Sequence, residues 1–249
     1  MGDRYWTYFY EIYEALPRQG PGDRESTERA LRLLPPLTRS HRLLDIGCGS
    51  GAQTIDLARA TEAEIVAVDN HAAFIAELKN RAAALGLGER VRAEVGDMND
   101  LPFPDRSFDV VWSEGAIFII GFEKGLAAWR RLVAPGGHVV VSESCWFRDD
   151  PPAELRELFG DACSDVGDVA ARRGAIARAG YRLVADFVLP AVGWWDNYYV
   201  PLGDCLQRFR ASHAGDAEAL DVAAKSQHEI ELYRKYAEYF GYVFFVMKS

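Results

Sequence analysis

Long apolar runs, an export signal and closely spaced cysteines are all missing from this sequence. Its longest apolar runs, 116–120 and 243–247, are far too short for a membrane-spanning helix. The first residues lack a basic segment followed by an apolar one, so we expect no signal peptide. The four cysteines are widely spaced and form no C-x-x-C pair: Cys48, Cys145, Cys163 and Cys205. We therefore expect a soluble cytoplasmic protein without disulfides and without a zinc or other metal site.

An excess of basic residues is also missing. The chain of 249 residues has 28 Lys and Arg against 37 Asp and Glu, a formal net charge of -9. That balance argues against binding nucleic acid or an anionic membrane through bulk charge. The hydrophobic fraction of 49% is that of a globular protein, so a disordered or fibrous chain is excluded. The length fits one domain with a substantial core.

The first two thirds of the chain alternate short apolar segments with segments of helical periodicity. This alternation predicts right-handed βαβ units and a doubly wound, Rossmann-like α/β fold with a parallel sheet. The predicted strands are 43–46, 64–68, 91–95, 108–112 and 139–141, and the helices between them are 52–60, 71–85 and 123–133. The sequence Pro135-Gly136-Gly137 is expected to end the last of these helices and to admit the fifth strand.

The pattern changes after residue 150. Helices are predicted near 151–160 and 166–179, and strands at about 181–189 and 242–247. The mostly helical insertion of about 190–240 between these two strands is not needed to complete a sheet. We interpret it as a substrate cap, and a dimerisation element is an equal alternative. The chain is thus expected to form one domain, 1–249, with an N-terminal arm at 1–22, as a monomer or homodimer.

A glycine loop follows the first predicted strand. Gly47, Gly49 and Gly51 allow a sharp turn and close approach to a ligand, and a helix begins just after them. The spacing also satisfies the dinucleotide fingerprint, so an NAD-type oxidoreductase stays possible at this point. Asp45 at the strand end would repel a pyrophosphate and favour a cation such as the ammonium or sulfonium of S-adenosylmethionine. Alternatively, Asp45 caps the loop by accepting hydrogen bonds from its amides.

Two further acids follow the next two predicted strands. Asp69 ends the second strand, where a carboxylate can accept both ribose hydroxyls, and Asp97 follows the third. Each alone could be a helix N-cap. Three acids at the carboxyl ends of successive strands, around one glycine loop, instead predict a ligand crevice at that edge of the sheet.

These motifs resemble the class I S-adenosylmethionine-dependent methyltransferases. The resemblance covers residues 43–143 and includes Leu44-Asp45-Ile46-Gly47-Cys48-Gly49-Ser50-Gly51, Asp69, Gly96-Asp97-Met98, Ser107-Phe108-Asp109-Val110-Val111 and Leu132-Val133-Ala134-Pro135-Gly136-Gly137. The whole sequence also resembles an uncharacterised bacterial group of small-molecule methyltransferases. The family implies a seven-stranded sheet with an antiparallel last strand and a helical cap inserted between the last two strands.

The resemblance also implies which residues bind S-adenosyl-L-methionine. Gly47, Gly49 and Gly51 would line its methionine part, with Asp45 near the amino group. The ribose would lie at Asp69 and the neighbouring Asn70, and the adenine at Asp97 and Met98. Ser113, directly after the predicted fourth strand, would face the cofactor from the other side.

The remaining candidates are less strongly indicated. Arg18 could pair with the cofactor carboxylate or be a solvated surface residue. Glu114 is the leading candidate for a general base or an anchor for a cationic substrate, and a capping role is the alternative. The aromatic residues Tyr10, Trp146, Trp195 and Tyr199 are candidate pocket walls, although simple packing of the cap on the sheet explains most such clusters and is the favoured alternative.

The sequence therefore predicts methyl transfer to the N or O atom of a small-molecule acceptor by in-line displacement. The family's DNA amino-methylating motif is missing after the fourth strand, which argues with the net charge against a nucleic-acid substrate. The alternatives are an NAD-type oxidoreductase, a relative that transfers another alkyl group, and a non-catalytic cofactor-binding module.

Overall fold

A seven-stranded sheet forms the centre of the protein. We describe residues 4–162 and 166–249 from a computed structural model. The strands are β1 (Arg42–Ile46), β2 (Glu64–Asp69), β3 (Val91–Val95), β4 (Phe108–Glu114), β5 (Val133–Trp146), β6 (Arg182–Val188) and β7 (Phe240–Lys248). Their order in the sheet is β3-β2-β1-β4-β5-β7-β6. Strands β1 to β5 pair in parallel, and β7 is antiparallel to both its neighbours. The expected fold class is confirmed, including the antiparallel last strand.

Helices surround this sheet. In the described ranges they are α1 (Tyr5–Glu14), α2 (Arg24–Leu31), α3 (Ala52–Ala60), α4 (Ala72–Ala84), α5 (Phe122–Trp129), α6 (Ala153–Ala162), α7 (Val169–Arg178), α8 (Ala191–Trp194), α9 (Val200–Ser212) and α10 (Ala217–Tyr236). A π-helical segment, Trp195–Tyr199, joins α8 to α9. Cys48, Cys145 and Cys205 are buried free thiols, while Cys163 lies outside the described residues.

Alternate residues of each central strand enter two different cores. Leu43 packs in the core on one face of the sheet, and Leu44 packs in the core on the other. Val111 and Trp112 of β4 divide in the same way. This arrangement explains why these strands read as continuous apolar segments, because a parallel sheet is buried on both faces.

Two sequence expectations about the centre of the sheet are wrong in detail. Strand β4 continues to Glu114, and β5 spans fourteen residues rather than the three that were expected. Polar residues extend both strands because a strand neighbour supplies their backbone partners: β5 pairs with the end of β4, and β7 pairs with the end of β5. The helix before β5 ends through a short turn at Arg130–Leu132, so Pro135-Gly136-Gly137 does not end it. Those three residues lie within β5, where its pairing with β4 is irregular.

The helical insertion lies between β6 and β7, as expected, and it packs against the N-terminal arm. The Tyr8 hydroxyl donates to Asp216 at 2.6 Å, and the Cys205 thiol lies 3.4 Å from the Ile12 carbonyl oxygen. Farther along the arm, Gly22 donates its backbone N–H to Gly193. Arm and insertion thus form one helical layer. None of the helices in the described ranges is both long enough and apolar enough to cross a membrane.

Candidate functional site

The glycine loop between β1 and α3 has a backbone that only glycine adopts easily. Gly47, Gly49 and Gly51 all have positive φ angles of 74°, 53° and 87°. A Cβ at Gly51 would also collide with the side chain of Leu78. Within this loop, the buried Ser50 hydroxyl makes no hydrogen bond with any described residue. The loop therefore presents close backbone approach and one polar atom that a bound ligand could satisfy.

Asp45 lies beneath this loop and is fully buried. Its carboxylate accepts hydrogen bonds from Thr54 Oγ1 at 2.6 Å and, more weakly, from Gln53 Nε2 at 3.4 Å. Burial raises the pKa of Asp45 to about 7, and these two hydrogen bonds oppose the rise. Asp45 thus accepts from side chains of α3 rather than from the loop amides, and the loop-capping alternative is not what the structure shows.

Asp69 at the end of β2 connects the glycine loop to the start of α4. Its Oδ2 accepts the backbone N–H of Gly49 at 2.9 Å, and its Oδ1 accepts that of His71, also at 2.9 Å. Burial raises the pKa of Asp69, and the backbone hydrogen bonds limit the rise. Asn70 is exposed beside it. The Tyr10 ring stacks on His71 at 3.8 Å between ring centroids, so it lies beside the carboxyl end of β2. Its predicted role in the substrate pocket stays a prediction.

Asp97 and Met98 lie on the turn that follows β3. Asp97 is exposed and accepts two hydrogen bonds from Asn99, from the backbone at 2.8 Å and from the side chain at 2.9 Å. These bonds lower the pKa of Asp97. The Met98 carbonyl accepts from the Trp129 indole, and its methyl group lies near Gly47. Met98 therefore borders the glycine loop, whereas Asp97 holds a turn rather than capping a helix.

Ser113 and Glu114 both lie inside β4 and not after it. The fully buried Ser113 hydroxyl donates to the Ile46 carbonyl at 2.9 Å, so it links β4 to β1. The expected position of Ser113 just beyond the strand is wrong, because β4 is two residues longer than its apolar segment. Its predicted contact with the cofactor stays a prediction.

Glu114 forms a buried ion pair with Arg18 of the N-terminal arm. Arg18 Nη2 lies 2.5 Å from Glu114 Oε2, and the two side chains are only 10% and 1% exposed. The other carboxylate oxygen accepts from Thr27 Oγ1 and from the Trp112 indole. Burial raises the pKa of Glu114, while Arg18 opposes the rise. The surface alternative for Arg18 is wrong, and Glu114 would have to release Arg18 before acting as a base.

Gln19, next to Arg18, is a site residue that the sequence reasoning missed. Its Oε1 accepts the backbone N–H of Ser50 at 2.7 Å, while its Nε2 donates to the Tyr13 and Leu16 carbonyls. The arm therefore touches the glycine loop directly. The only signal in the sequence was its position in the same turn-rich segment as Arg18.

The charged side chains around the crevice are mostly acidic. Asp45 and Glu114 are buried acids and Asp69 is half-buried, and within residues 4–162 and 166–249 Arg18 is the one cation that forms an ion pair with any of them. The negative charge of Glu114 contributes to the raised pKa of Asp45. An acidic crevice of this kind attracts a ligand with positive charges and disfavours a pyrophosphate. The acids, the glycine loop and the unpaired Ser50 hydroxyl therefore fit S-adenosylmethionine better than a dinucleotide.

A cluster of aromatic side chains lies beside the carboxyl end of β4. We call Trp194, Trp195, Tyr198, Tyr199, Tyr233 and Tyr242 the aromatic cluster. Trp194 stacks on Tyr233 with centroids 4.4 Å apart and meets Tyr242 at 4.8 Å. Tyr242 in turn limits the space at Gly115, where a Cβ would be 2.8 Å from its ring. The cluster thus extends from the crevice into the insertion.

Of the four predicted pocket aromatics, the structure brings two together. Trp195 and Tyr199 are neighbours at 5.6 Å between centroids. Trp146 contacts Phe240, which also contacts Trp194, so it borders the cluster indirectly. Tyr10 makes no ring contact with the cluster in the described part of the chain. Glu229 of α10, which accepts from the Tyr199 hydroxyl at 3.1 Å, was missed because its helix has an ordinary polar pattern.

Within residues 4–162 and 166–249, no group of three or more His, Cys, Asp or Glu side chains could hold a metal ion.

Comparison with known proteins adds independent evidence. Residues 43–137 match the family described as "Methyltransferase domain". A solved S-adenosylmethionine-dependent methyltransferase from Geobacter sulfurreducens, in complex with S-adenosyl-L-homocysteine, superposes with a TM-score of 0.82 at 25% identity, covering 97% of both chains. YjhP from Escherichia coli is 29% identical over 225 residues, 88% of this chain and 87% of YjhP. Its solved structure has a TM-score of 0.82 at 26% identity, with 96% of this chain and 98% of that chain covered.

Other relatives are longer proteins. Phosphoethanolamine N-methyltransferase 1 from Arabidopsis thaliana is 30% identical over 173 residues, which are 68% of this chain and 35% of the plant protein. The chain spans less than half the length of several curated relatives that it matches. The fold, the glycine loop and the similarity to whole bacterial structures nevertheless agree. Residues 43–137 thus form a methyltransferase domain, and over nearly its whole length the chain is similar to class I S-adenosylmethionine-dependent methyltransferases.

Proposed function

We propose that the chain transfers the methyl group of S-adenosylmethionine to a nitrogen or oxygen atom of a small molecule. The observation that carries this proposal is the acidic crevice at the glycine loop, where the buried Asp45 and the half-buried Asp69 flank a backbone built for close approach. When bound, the cofactor supplies a methyl group on a cationic sulfur. A lone pair of the acceptor attacks the methyl carbon, and the sulfur leaves with the electron pair of the broken S–C bond.

The residues of the crevice would hold the cofactor by charge and shape. Asp45 would face its ammonium group, and Asp69 would accept hydrogen bonds from its ribose hydroxyls. The Ser50 hydroxyl and the loop amides offer further polar contacts. The proposed contacts of Met98, Ser113 and the exposed Asp97 are weaker, because other residues of the chain already use polar atoms of all three. The exposed Asn70 would lie beside the ribose.

The N-terminal arm and the insertion would close the site. Arg18 and Gln19 connect the arm to Glu114 and to the glycine loop, and Thr27 of α2 also donates to Glu114. Alignment of two reactants in a site without bulk water accounts for much of the catalysis of such a displacement, so a dedicated base is not required. We therefore infer that Glu114 holds the arm in place, and that the insertion acts as the substrate cap.

A small-molecule acceptor is supported by the printed activity of one relative, the Arabidopsis phosphoethanolamine N-methyltransferase. The test is a screen for S-adenosylhomocysteine release with amines, phenols and carboxylates as acceptors, followed by product mass. We expect a mass gain of one CH2 unit with at least one class. Asp69→Ala should abolish release, while the control Asp221→Asn on the exposed face of α10 should not.

The same screen separates the alternatives. A larger mass gain would indicate transfer of another alkyl group. Tight cofactor binding with no release against every acceptor class would instead indicate a non-catalytic binding module. Turnover of NAD in place of S-adenosylmethionine would overturn the proposal.

A further inference from the structure

The carboxylate of Glu229 lies in unusual surroundings. In the described part of the chain, its one hydrogen bond comes from the Tyr199 hydroxyl at 3.1 Å, and no Lys, Arg or His nitrogen lies within 4.0 Å. Protein atoms surround the carboxylate and raise its pKa, although the residue keeps part of its surface accessible. Glu229 is thus a half-buried acid for which the described part of the chain supplies no cationic partner. We call the position of its carboxylate beside Tyr199 the recess.

Phenol groups enclose this acid. The hydroxyls of Tyr13 and Tyr198 lie 3.2 Å apart, and the negative charge of Glu229 contributes to the raised pKa of both. The same holds for Tyr199. All three tyrosines are at most 6% exposed. The tyrosines therefore stay neutral, and the negative charge of the recess resides on Glu229.

The recess is connected to the methyl-transfer crevice through the aromatic cluster. Tyr199 lies 5.9 Å from Trp194 between ring centroids, and Trp194 lies 4.8 Å from Tyr242. Tyr242 packs against Gly115, and the next residue, Ala116, lies over Gly47 of the glycine loop. Contacts between aromatic rings therefore lead from Tyr199, beside Glu229, to Tyr242, and Gly115 and Ala116 complete the connection to the crevice.

We propose that Glu229 and the aromatic cluster bind a cationic ammonium group carried by the methyl acceptor. The inference deepens the proposed function, on which it rests, by naming the class of substrate. A carboxylate that is partly removed from water is stabilised most by a ligand that brings its own positive charge. Tyrosine and tryptophan faces add attraction for the same cation and are well suited to alkylated ammonium groups.

Arg234, a cation beside the aromatic cluster, does not serve this purpose. The Arg234 guanidinium stacks on the Trp195 ring at 5.4 Å, and Arg234 itself is exposed. Its position covers one face of Trp195 without reaching Glu229. A purely structural role for Glu229 would need only the Tyr199 hydrogen bond, which a neutral side chain could also accept.

The test is calorimetric titration with tetramethylammonium and choline. As a neutral control we use the carbon isostere of choline, in which carbon replaces the quaternary nitrogen. Titrations are made with and without saturating S-adenosylhomocysteine. We expect choline to bind at least about tenfold more tightly than its isostere. Glu229→Gln should weaken choline binding by about tenfold or more and leave the isostere within about twofold.

A matched control uses the same helix. Glu231 is two residues farther along α10 and exposed, so Glu231→Gln removes the same charge outside the recess and should change nothing. Thermal unfolding of both variants shows whether either fold is affected. Tyr199→Phe, which keeps the ring but removes the hydrogen bond, should retain preference for the cation.

Two results would overturn the inference: neither cation binds more tightly than the isostere, or Glu229→Gln binds choline as the wild type does. The proposed function fails separately, through absence of S-adenosylhomocysteine binding in its own titration. Cation binding without cofactor binding would therefore support the cation site and refute the proposed function. Cofactor binding without cation binding would refute only this substrate class.

Discussion

The buried ion pair between Arg18 and Glu114 gives the sharpest prediction about stability. In Arg18→Ala, the Glu114 carboxylate, which is 1% exposed in the wild type, keeps only its hydrogen bonds from Thr27 and Trp112. Removing one partner of such a pair typically lowers the free energy of unfolding by about 3 to 5 kcal/mol. For a chain of this size, the midpoint of thermal unfolding should then fall by roughly 6 to 20 °C.

The effect should also depend on pH. Burial raises the pKa of Glu114 above its ordinary value, and the charge of Arg18 opposes this rise. Without Arg18 the pKa rises further, so the folded variant keeps a proton that the unfolded chain loses. Stability of the variant must therefore decrease as pH increases toward the new pKa. We expect a larger deficit near pH 8 than near pH 5.

The assay is urea and thermal unfolding followed by circular dichroism at both pH values. Arg24→Ala is the matched control, because Arg24 forms an exposed pair with Glu28 on α2. That control should cost about 0 to 1 kcal/mol. The double variant Arg18→Met with Glu114→Gln should recover part of the loss, since no uncompensated charge is left buried. If Arg18→Ala costs no more than Arg24→Ala at either pH, our account of the buried pair is refuted.

Three further predictions concern the crevice. Because burial raises the pKa of Asp45 from 3.8 to about 7, the ligand-free protein should lose stability as pH rises between these values, and Asp45→Asn should flatten that dependence in unfolding measurements. Gly51→Ala should cost at least about 1 to 3 kcal/mol through its positive φ and the contact with Leu78. Gly203→Ala, within α9 and with open space around it, should be neutral or stabilising in the same melts. Asp69→Asn should weaken S-adenosylmethionine binding by roughly tenfold or more in calorimetry, and unchanged affinity would remove the ribose from this position.

The sequence predicted those elements whose position depends on residues close by in the chain. Helix α3 has the predicted bounds, because the glycine loop fixes where the helix begins. Asp45 and Asp69 come together near the loop, since the carboxyl ends of parallel strands share one edge. The bounds of β5 were not predictable, because its polar ends are held by pairing with strands distant in the chain.

The remaining site residues depend on contacts across the whole chain. Arg18 and Glu114 are separated by 96 positions, and nothing in either neighbourhood indicates their pairing. Glu229 reads as a solvated residue of α10 until the tyrosines of α1 and of the π-helical segment are placed beside it. Burial of a charged group is a tertiary property, which periodicity along one helix does not reveal.

Calorimetric titration with S-adenosylmethionine and with NAD tests the central claim most directly, because the crevice is argued to accept a cationic ligand and to disfavour a pyrophosphate. We predict binding of S-adenosylmethionine and S-adenosylhomocysteine, weakened in Asp69→Asn, and no binding of NAD. Binding of NAD without binding of S-adenosylmethionine would contradict the account.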